Sequence, residues 1–350
     1  MPHPIIHRRL IRILQVAVLA AVTYFIFRNV VSSWDEIRTR RAVDNVSWLP
    51  LVASAVIYLV GLIPAIWFWR QVLARLGQPQ PALSLSAAYF IGNLGKYIPG
   101  KAMVIVLRVA FLRNRVCTLR TAAASVFYET LTMMGVGGFL GAGIIAVLFR
   151  DRWWYVLLAT VMAVASLGPT LPPVFGWLLK KLNGETDANS DDNTPDPQNL
   201  DTSHVLSSSF SKDAPLKPLA NSTRKLDTSV MLAGWLAHVI GWIILGGSLW
   251  AVCQGLEIQP SESYANWPLQ LAICTAAASL AMVAGFLSLI PAGVLVRESM
   301  ILVVLTPVYG QSNAMLAAVV LRLVWLVAEL VISGVLYATV RGSVATKTAD

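Results

Sequence analysis

Gly92-Asn93-Leu94-Gly95-Lys96-Tyr97-Ile98-Pro99-Gly100-Lys101, with Arg108 a little further on, is the stretch whose reading decides the fold. It lies between apolar segments, yet it carries a Pro-Gly break, a side-chain amide and two ammonium groups. A cation near the bilayer centre costs about 2.5–3.5 kcal/mol on insertion scales. Lys96, Lys101 and Arg108 facing lipid would together cost about 7–10 kcal/mol. Non-helical backbone at membrane depth is tolerated only where protein or a watery cavity covers it. The stretch therefore reads as a broken, re-entrant element turned inward, with cations available for an anionic ligand.

The rest of the chain agrees with a membrane setting. It has 350 residues, 56% hydrophobic and 13% charged, against about 25% charged in a soluble domain. Apolar stretches long enough to span a bilayer recur along it, which gives an all-α integral membrane protein, a polytopic helical bundle. The net charge of +9 reflects Lys and Arg gathered at the ends of membrane segments. No basic run is interleaved with aromatics, so nucleic acid is not an expected partner. Cys117, Cys253 and Cys274, like His3, His7, His204 and His238, lack metal-ligand spacing, so neither a metal nor a cofactor is expected. His238, on an apolar segment, reads as a packed or interhelical hydrogen-bonding residue.

Working outward, the chain divides into two membrane halves, residues 1–181 and 228–342, with a tail at 343–350. Between them residues 182–227, rich in Asn, Asp, Ser, Thr and Pro, read as a disordered cytoplasmic linker. Residues 13–31, preceded by Arg8, Arg9 and Arg12, form an uncleaved first helix with its amino end in the cytoplasm of a cell (inner) membrane protein. Residues 48–69 form the second span, with Trp67 and Trp69 suited to the interface and Arg70 and Arg75 marking the cytoplasmic side. Residues 85–98 and 102–112 are each short for a crossing, which favours a hairpin that dips in and returns. Long helices follow at 121–149 and 153–179. The second half repeats the plan with spans at 230–252, 268–290 and 313–340, and with an external loop at 254–267 that lacks Lys and Arg. In the long helix at 121–149, Gly137 and Gly141 are four apart and permit close packing.

Both halves contain a Pro/Gly interruption with a basic residue shortly after it. Pro99-Gly100 leads to Arg108, and Pro291-Ala292-Gly293 leads to Arg297-Glu298. Broken segments at corresponding places in two halves point to an inverted repeat with a site at its interface.

These residues, namely Asn93 to Lys101 with Arg108, then Glu129, then Pro291-Ala292-Gly293 with Arg297-Glu298, then Arg322, resemble the transmembrane region of lysylphosphatidylglycerol synthetases, the flippase-like domain family. The resemblance spans nearly all of the chain outside the linker. It implies a helical bundle with re-entrant segments around a polar cavity. It also implies movement between leaflets of an anionic or modified lipid, such as an aminoacylated phospholipid or a polyprenyl-phosphate sugar. The bifunctional synthetases carry a soluble aminoacyl-transferase domain after the membrane region. Here Asp350 follows the last helix, so aminoacyl transfer is not expected and a lipid-modifying enzyme is the implied partner. Two departures stand out. Ala102, Met103 and Val104 occupy a zone where the family often has a glycine. Gly293-Val294-Leu295-Val296-Arg297-Glu298 lacks the second glycine of the usual Gly-Leu-Gly-Val-Arg-Glu.

The site set is Asn93, Lys96, Pro99, Gly100, Lys101, Arg108, Glu129, Pro291, Gly293, Arg297, Glu298 and Arg322. Lys96, Lys101 and Arg108 either bind a lipid phosphate, Arg with a bidentate fork and Lys as a point charge, or snorkel to the interface. Glu129 neutralises Arg108 or Arg297, or couples transport to a proton. Arg297 and Glu298 point about 100° apart on a helix, so one faces the cavity and the other a neighbouring helix. Asn93 reads as support for exposed backbone at the break. Arg322 and Glu329 lie seven apart on one helix face and join the same charge network. No P-loop occurs, so energy for movement would come from an ion gradient, a partner or the lipid gradient. Two other classes remain open: a polyprenyl-phosphate-dependent glycosyltransferase using Asp35-Glu36, and a scaffold without transport.

Overall fold

A computed structural model of the chain describes residues 46–97, 102–112, 119–148, 228–288, 293 and 295–347, with Trp153 and Leu157. The proposed first helix, Asp35-Glu36, the linker, and Pro99, Gly100, Lys101 and Pro291 lie outside the described residues. In order the helices are α1 (Trp48–Gly61), α2 (Ile63–Arg75), α3 (Ala82–Asn93) with a 3-10 turn (Leu94–Tyr97), and α4 (Ala102–Leu112). They continue as α5 (Leu119–Leu148), α6 (Thr228–Gly255), α7 (Trp267–Leu287), α8 (Val296–Tyr309) and α9 (Gln311–Lys347). No strand occurs among the described residues.

Among the described residues, five stretches are long and apolar enough to cross a bilayer: Trp48–Arg75, Thr121–Leu148, Thr228–Gly255, Trp267–Leu287 and Gln311–Val340. At 1.5 Å per residue, about 20 residues cover the hydrocarbon core. Their outer faces are apolar. Leu49, Val52, Val56, Val60, Ile63 and Trp67 form an exposed stripe along α1 and α2, as do Leu232, Leu236, Ile240 and Ile243 along α6. Polar and charged side chains such as Ser54, Ser125, Glu129, Ser248 and Glu329 are buried instead. Such a surface suits lipid rather than water.

Trp48–Arg75 breaks at Leu62, just ahead of Pro64, and continues as α2. It runs antiparallel to α6 along a seam of small residues. The Ser47 amide donates to the Gly255 carbonyl at 2.9 Å. Ser54 and Ser248 exchange hydroxyl hydrogen bonds. Gly241 lies against the Gly61 carbonyl, and Gly234 against the Phe68 ring. Ser47, Ser54, Gly61 and Phe68 on one strand of this pair, and Gly234, Gly241, Ser248 and Gly255 on the other, each recur every seven residues. A seven-residue period keeps one face on the partner, and small side chains let the two backbones approach.

About this pair α3–α4 and α7–α8 pack as two hairpins, with α5 and α9 against them. Gly92 of α3 lies under Arg108 of α4, and Gly95 meets the backbone of Met103 and Val104. Gly285 of α7 lies under Arg297 of α8. α3 packs on α4 and α9, α4 on α5, and α2 on α5; correspondingly α7 packs on α8 and α5, α8 on α9, and α6 on α9. Exchanging α1–α2 with α6, α3 with α7, α4 with α8 and α5 with α9 leaves this pattern of neighbours unchanged. With the antiparallel seam at its centre, that is the packing of an inverted repeat.

Gly137 and Gly141 meet Trp242 of α6 and Leu280 of α7, so the glycine face of α5 is an inter-half contact. Trp69, read as an interfacial residue, is 0% exposed and donates to the Ser125 hydroxyl at 3.0 Å. Its position beside a buried guanidinium explains the difference.

A Cβ on Gly241 would sit 2.9 Å from the Gly61 carbonyl oxygen, whereas one on Gly143 meets nothing within 4 Å. Gly241→Val is therefore expected to destabilise the protein by about 1–3 kcal/mol through overpacking. Gly143→Ala is expected to be neutral or stabilising by up to about 1 kcal/mol. Thermal unfolding of both variants in detergent checks the pair.

Candidate functional site

The described site residues gather into two separate clusters, one within the first half and one that joins the halves. In the first, Arg108 is 3% exposed and its Nη1 pairs with Glu129 Oε2 at 2.5 Å. Its Nη2 donates to Asn93 Oδ1 at 2.9 Å. Its guanidinium lies 3.9 Å from the centre of the Tyr89 ring and 5.3 Å from that of Trp69. The Tyr89 hydroxyl donates to the other Glu129 oxygen at 3.3 Å. Pairing with a hydrogen-bonded carboxylate is what makes a buried guanidinium tolerable. Of the two readings for Arg108, snorkelling is excluded, and Glu129 is its counter-ion. Asn93 accepts from the guanidinium; the backbone of the break at residues 98–101 lies outside the described residues.

The second cluster joins the halves. Glu329 of α9 is fully buried and accepts from three donors of the first half: Lys96 Nζ at 2.5 Å, the Tyr97 hydroxyl at 3.1 Å and the Tyr58 hydroxyl. Tyr58 stacks on Trp325 at 4.5 Å between ring centres, and the Trp325 indole donates to Ser248 Oγ at 2.9 Å. The triple-donor carboxylate is thereby tied into the central seam. Arg322, one helical face along from Glu329, pairs with Glu298 of α8.

Arg297 stands apart. Its aliphatic stem rests on Gly285 and Gly293, where an added Cβ would fall 2.6 Å from Arg297 Cγ and 2.8 Å from its Nε respectively. Only glycine leaves room for it. Nε is buried without a hydrogen-bond partner, and Arg297 has no carboxylate partner among the described residues. A pocket of about 40 Å³ opens here, lined by Lys96, Tyr97, Arg297, Glu298, Arg322 and Trp325, with small and apolar residues of α7–α9 completing it. That is room for about three waters. Arg297 and Glu298 do take different neighbours, yet both line this one pocket.

Charge is unbalanced in this cluster. Among the described residues, Lys96, Arg297 and Arg322 are three cations against the two carboxylates of Glu298 and Glu329, leaving one positive charge beside the pocket. At the first break Arg108 and Glu129 cancel.

A family model for the lysylphosphatidylglycerol synthase TM region matches residues 12–333. The chain belongs to that family. It is accordingly a multi-pass membrane protein. No curated protein matches it.

The family's second-glycine position is instructive. Gly293 adopts φ +63°, and Leu295, standing where the family often has glycine, adopts φ 67° and ψ −39°. That region is costly for a side chain, by about 1–3 kcal/mol. The side chain at 295 thus carries backbone strain two residues before Arg297. Sequence reading missed Tyr58, Tyr89, Tyr97, Trp69 and Trp325 as parts of these clusters. A hydroxyl or indole donor within an otherwise apolar span was the available signal.

Glu329→Ala strands a buried ammonium and two buried hydroxyls, and is expected to cost about 3–5 kcal/mol. The double variant Lys96→Met/Glu329→Leu should recover much of it, as read by thermal unfolding. Leu295→Gly, at a residue 72% exposed, should raise the melting temperature slightly, because strain relief outweighs the extra unfolded-state entropy.

Proposed function

We propose that this protein binds the phosphate-bearing head group of an anionic or modified lipid beside Arg297 and carries it between leaflets, with the lipid tail left in the bilayer. One observation carries the reading. Every other described cation of the two clusters has a carboxylate partner, while Arg297 borders a pocket with none. A guanidinium in a low-dielectric site seeks an anion, and its fork matches two phosphate oxygens. Lys96 and Arg322, each held by a carboxylate, border the same pocket and strengthen its field.

The pocket in this conformation is too small for a whole head group, so entry requires the lining helices to part. An aminoacylated phospholipid and a polyprenyl-phosphate-linked sugar both supply the phosphate. Glu298 and Glu329 border or back the site and offer carboxylates to an aminoacyl ammonium. The reading is of a carrier rather than an aminoacyl transferase, and it calls for a lipid-modifying enzyme as the supplier of its cargo.

The reading of orientation combines the seam with the charges that flank it. Arg70 and Arg75 mark one end of α1–α2, and α6 begins at that same end because the two run antiparallel. The opposite end leads into residues 254–267, which lack Lys and Arg. By the positive-inside rule we read the first end as cytoplasmic, although Arg38, Arg40 and Arg41 precede the opposite end of α1; placing the amino terminus on the same side rests on the sequence reading of residues 13–31 as a span, outside the described residues.

Arg297→Ala is expected to abolish leaflet exchange of a fluorescent anionic phospholipid in proteoliposomes while leaving insertion and thermal stability near wild type. Arg108→Ala should also abolish exchange, with a large loss of stability because Glu129 is left unpaired. Normal exchange by well-folded Arg297→Ala protein would refute the assignment.

A further inference from the structure

The charge balance of the Arg297 pocket changes when its anion leaves, and one side chain there can answer the change. With the pocket empty, Lys96, Arg297 and Arg322 exceed Glu298 and Glu329 by one positive charge among the described residues. With a monoanionic phosphodiester bound, the sum is zero. An uncompensated charge away from water is costly, so a carrier that returns empty needs a way to shed it.

Of the three cations, one can give up a proton. Arginine stays protonated in proteins, whereas a buried lysine readily becomes a neutral amine. Lys96 sits on the 3-10 turn that joins the halves, borders the pocket, and donates to Glu329 Oε1 at 2.5 Å. Its side chain is 16% exposed, which leaves a path for a proton. The amine form still carries N–H and keeps the bond to Glu329. Glu329 itself is held as a carboxylate, because the Tyr58 and Tyr97 hydroxyls donate to it as well. The other ionisable groups about Lys96 are Arg322 on α9 and Arg297 and Glu298 on α8. α3 and α4 also pack on the turn and bring Tyr89 and Arg108, both held by Glu129.

We propose that Lys96 is a proton-binding site coupled to the anion, an ammonium when a phosphate occupies the pocket and a neutral amine when the carrier returns empty. The inference rests on the reading of the Arg297 pocket given above and names the ion that travels with its cargo. One negative charge and one proton enter together, so the loaded and empty forms carry the same net charge. Leaflet exchange then responds to a proton gradient and is indifferent to membrane potential. Linkage fixes the sign of the pH dependence. Wherever empty-state Lys96 is an amine, binding the anion takes up a proton, so affinity falls as pH rises, by about tenfold per pH unit once uptake is complete.

Isothermal titration of the detergent-solubilised full chain with a soluble short-chain phosphatidylglycerol, in pairs of buffers of different ionisation enthalpy, counts the protons taken up from neutral to alkaline pH. Wild type is expected to take up close to one proton on the alkaline side, with the dissociation constant rising about tenfold per pH unit there. Lys96→Arg keeps the ion pair with Glu329 but cannot become an amine, so it should bind with no proton uptake and a flat pH profile. Lys96→Met, neutral at every pH, should bind more weakly and equally without uptake, and it carries the comparison if Lys96→Arg folds poorly. Binding by wild type without proton uptake, or wild-type uptake in either variant, would overturn the role of Lys96 while leaving the Arg297 pocket standing. No binding by wild type at any pH would overturn the Arg297 reading itself.

Discussion

A cation inside a membrane must have an anion beside it, and the architecture of this protein follows from how that demand is met. Arg108 has Glu129, Lys96 has Glu329 and Arg322 has Glu298. In water such pairs contribute little, but in a low-dielectric interior removing either partner leaves a charge that cost several kcal/mol to bury. The pairs therefore dictate which helices lie together: α4 on α5, the 3-10 turn on α9, and α8 on α9. Arg297 is the exception, and the exception falls at the pocket.

The small-residue seam makes these pairings geometrically possible. Lys96 and Glu329 are far apart in sequence and lie in different halves. They meet because α1–α2 and α6 approach closely along positions seven residues apart, drawing the flanking hairpins inward. Tyr58 and Trp325, stacked and hydrogen-bonded to Glu329 and Ser248 respectively, connect seam to charge cluster. On the proposed carrier reading, this closely packed centre is the core about which the halves would move.

Much of this was legible in the residues alone. Long apolar runs announce spans, and a Pro-Gly break followed by Lys and Arg cannot face lipid, so the burial of Lys96 and Arg108 was legible, whereas Glu129 was open between Arg108, Arg297 and a proton until the structure placed it on Arg108. The separation of Arg108 from Arg297 could not be foreseen, because it depends on pairing across the halves that no local pattern encodes. Trp69 shows the difficulty well. A tryptophan near the end of a span usually marks the interface, but the guanidinium behind it pulled it inside. The seven-residue spacing was present in the letters, yet it becomes meaningful only when α6 is known to run antiparallel to α1–α2. Leu295 shows the reverse: an apparent loss of a motif glycine is resolved by a backbone that keeps the glycine-like conformation regardless.

The central claim is that the unpaired positive charge at Arg297 is where a lipid phosphate binds. An experimental structure of the protein in phosphatidylglycerol nanodiscs tests it most directly. The account predicts a lipid phosphate about 3 Å from the Arg297 guanidinium, with its acyl chains leaving between the helices that line the pocket. Lipid phosphates confined to the outer rim, with the Arg297 pocket closed over water alone, would contradict it.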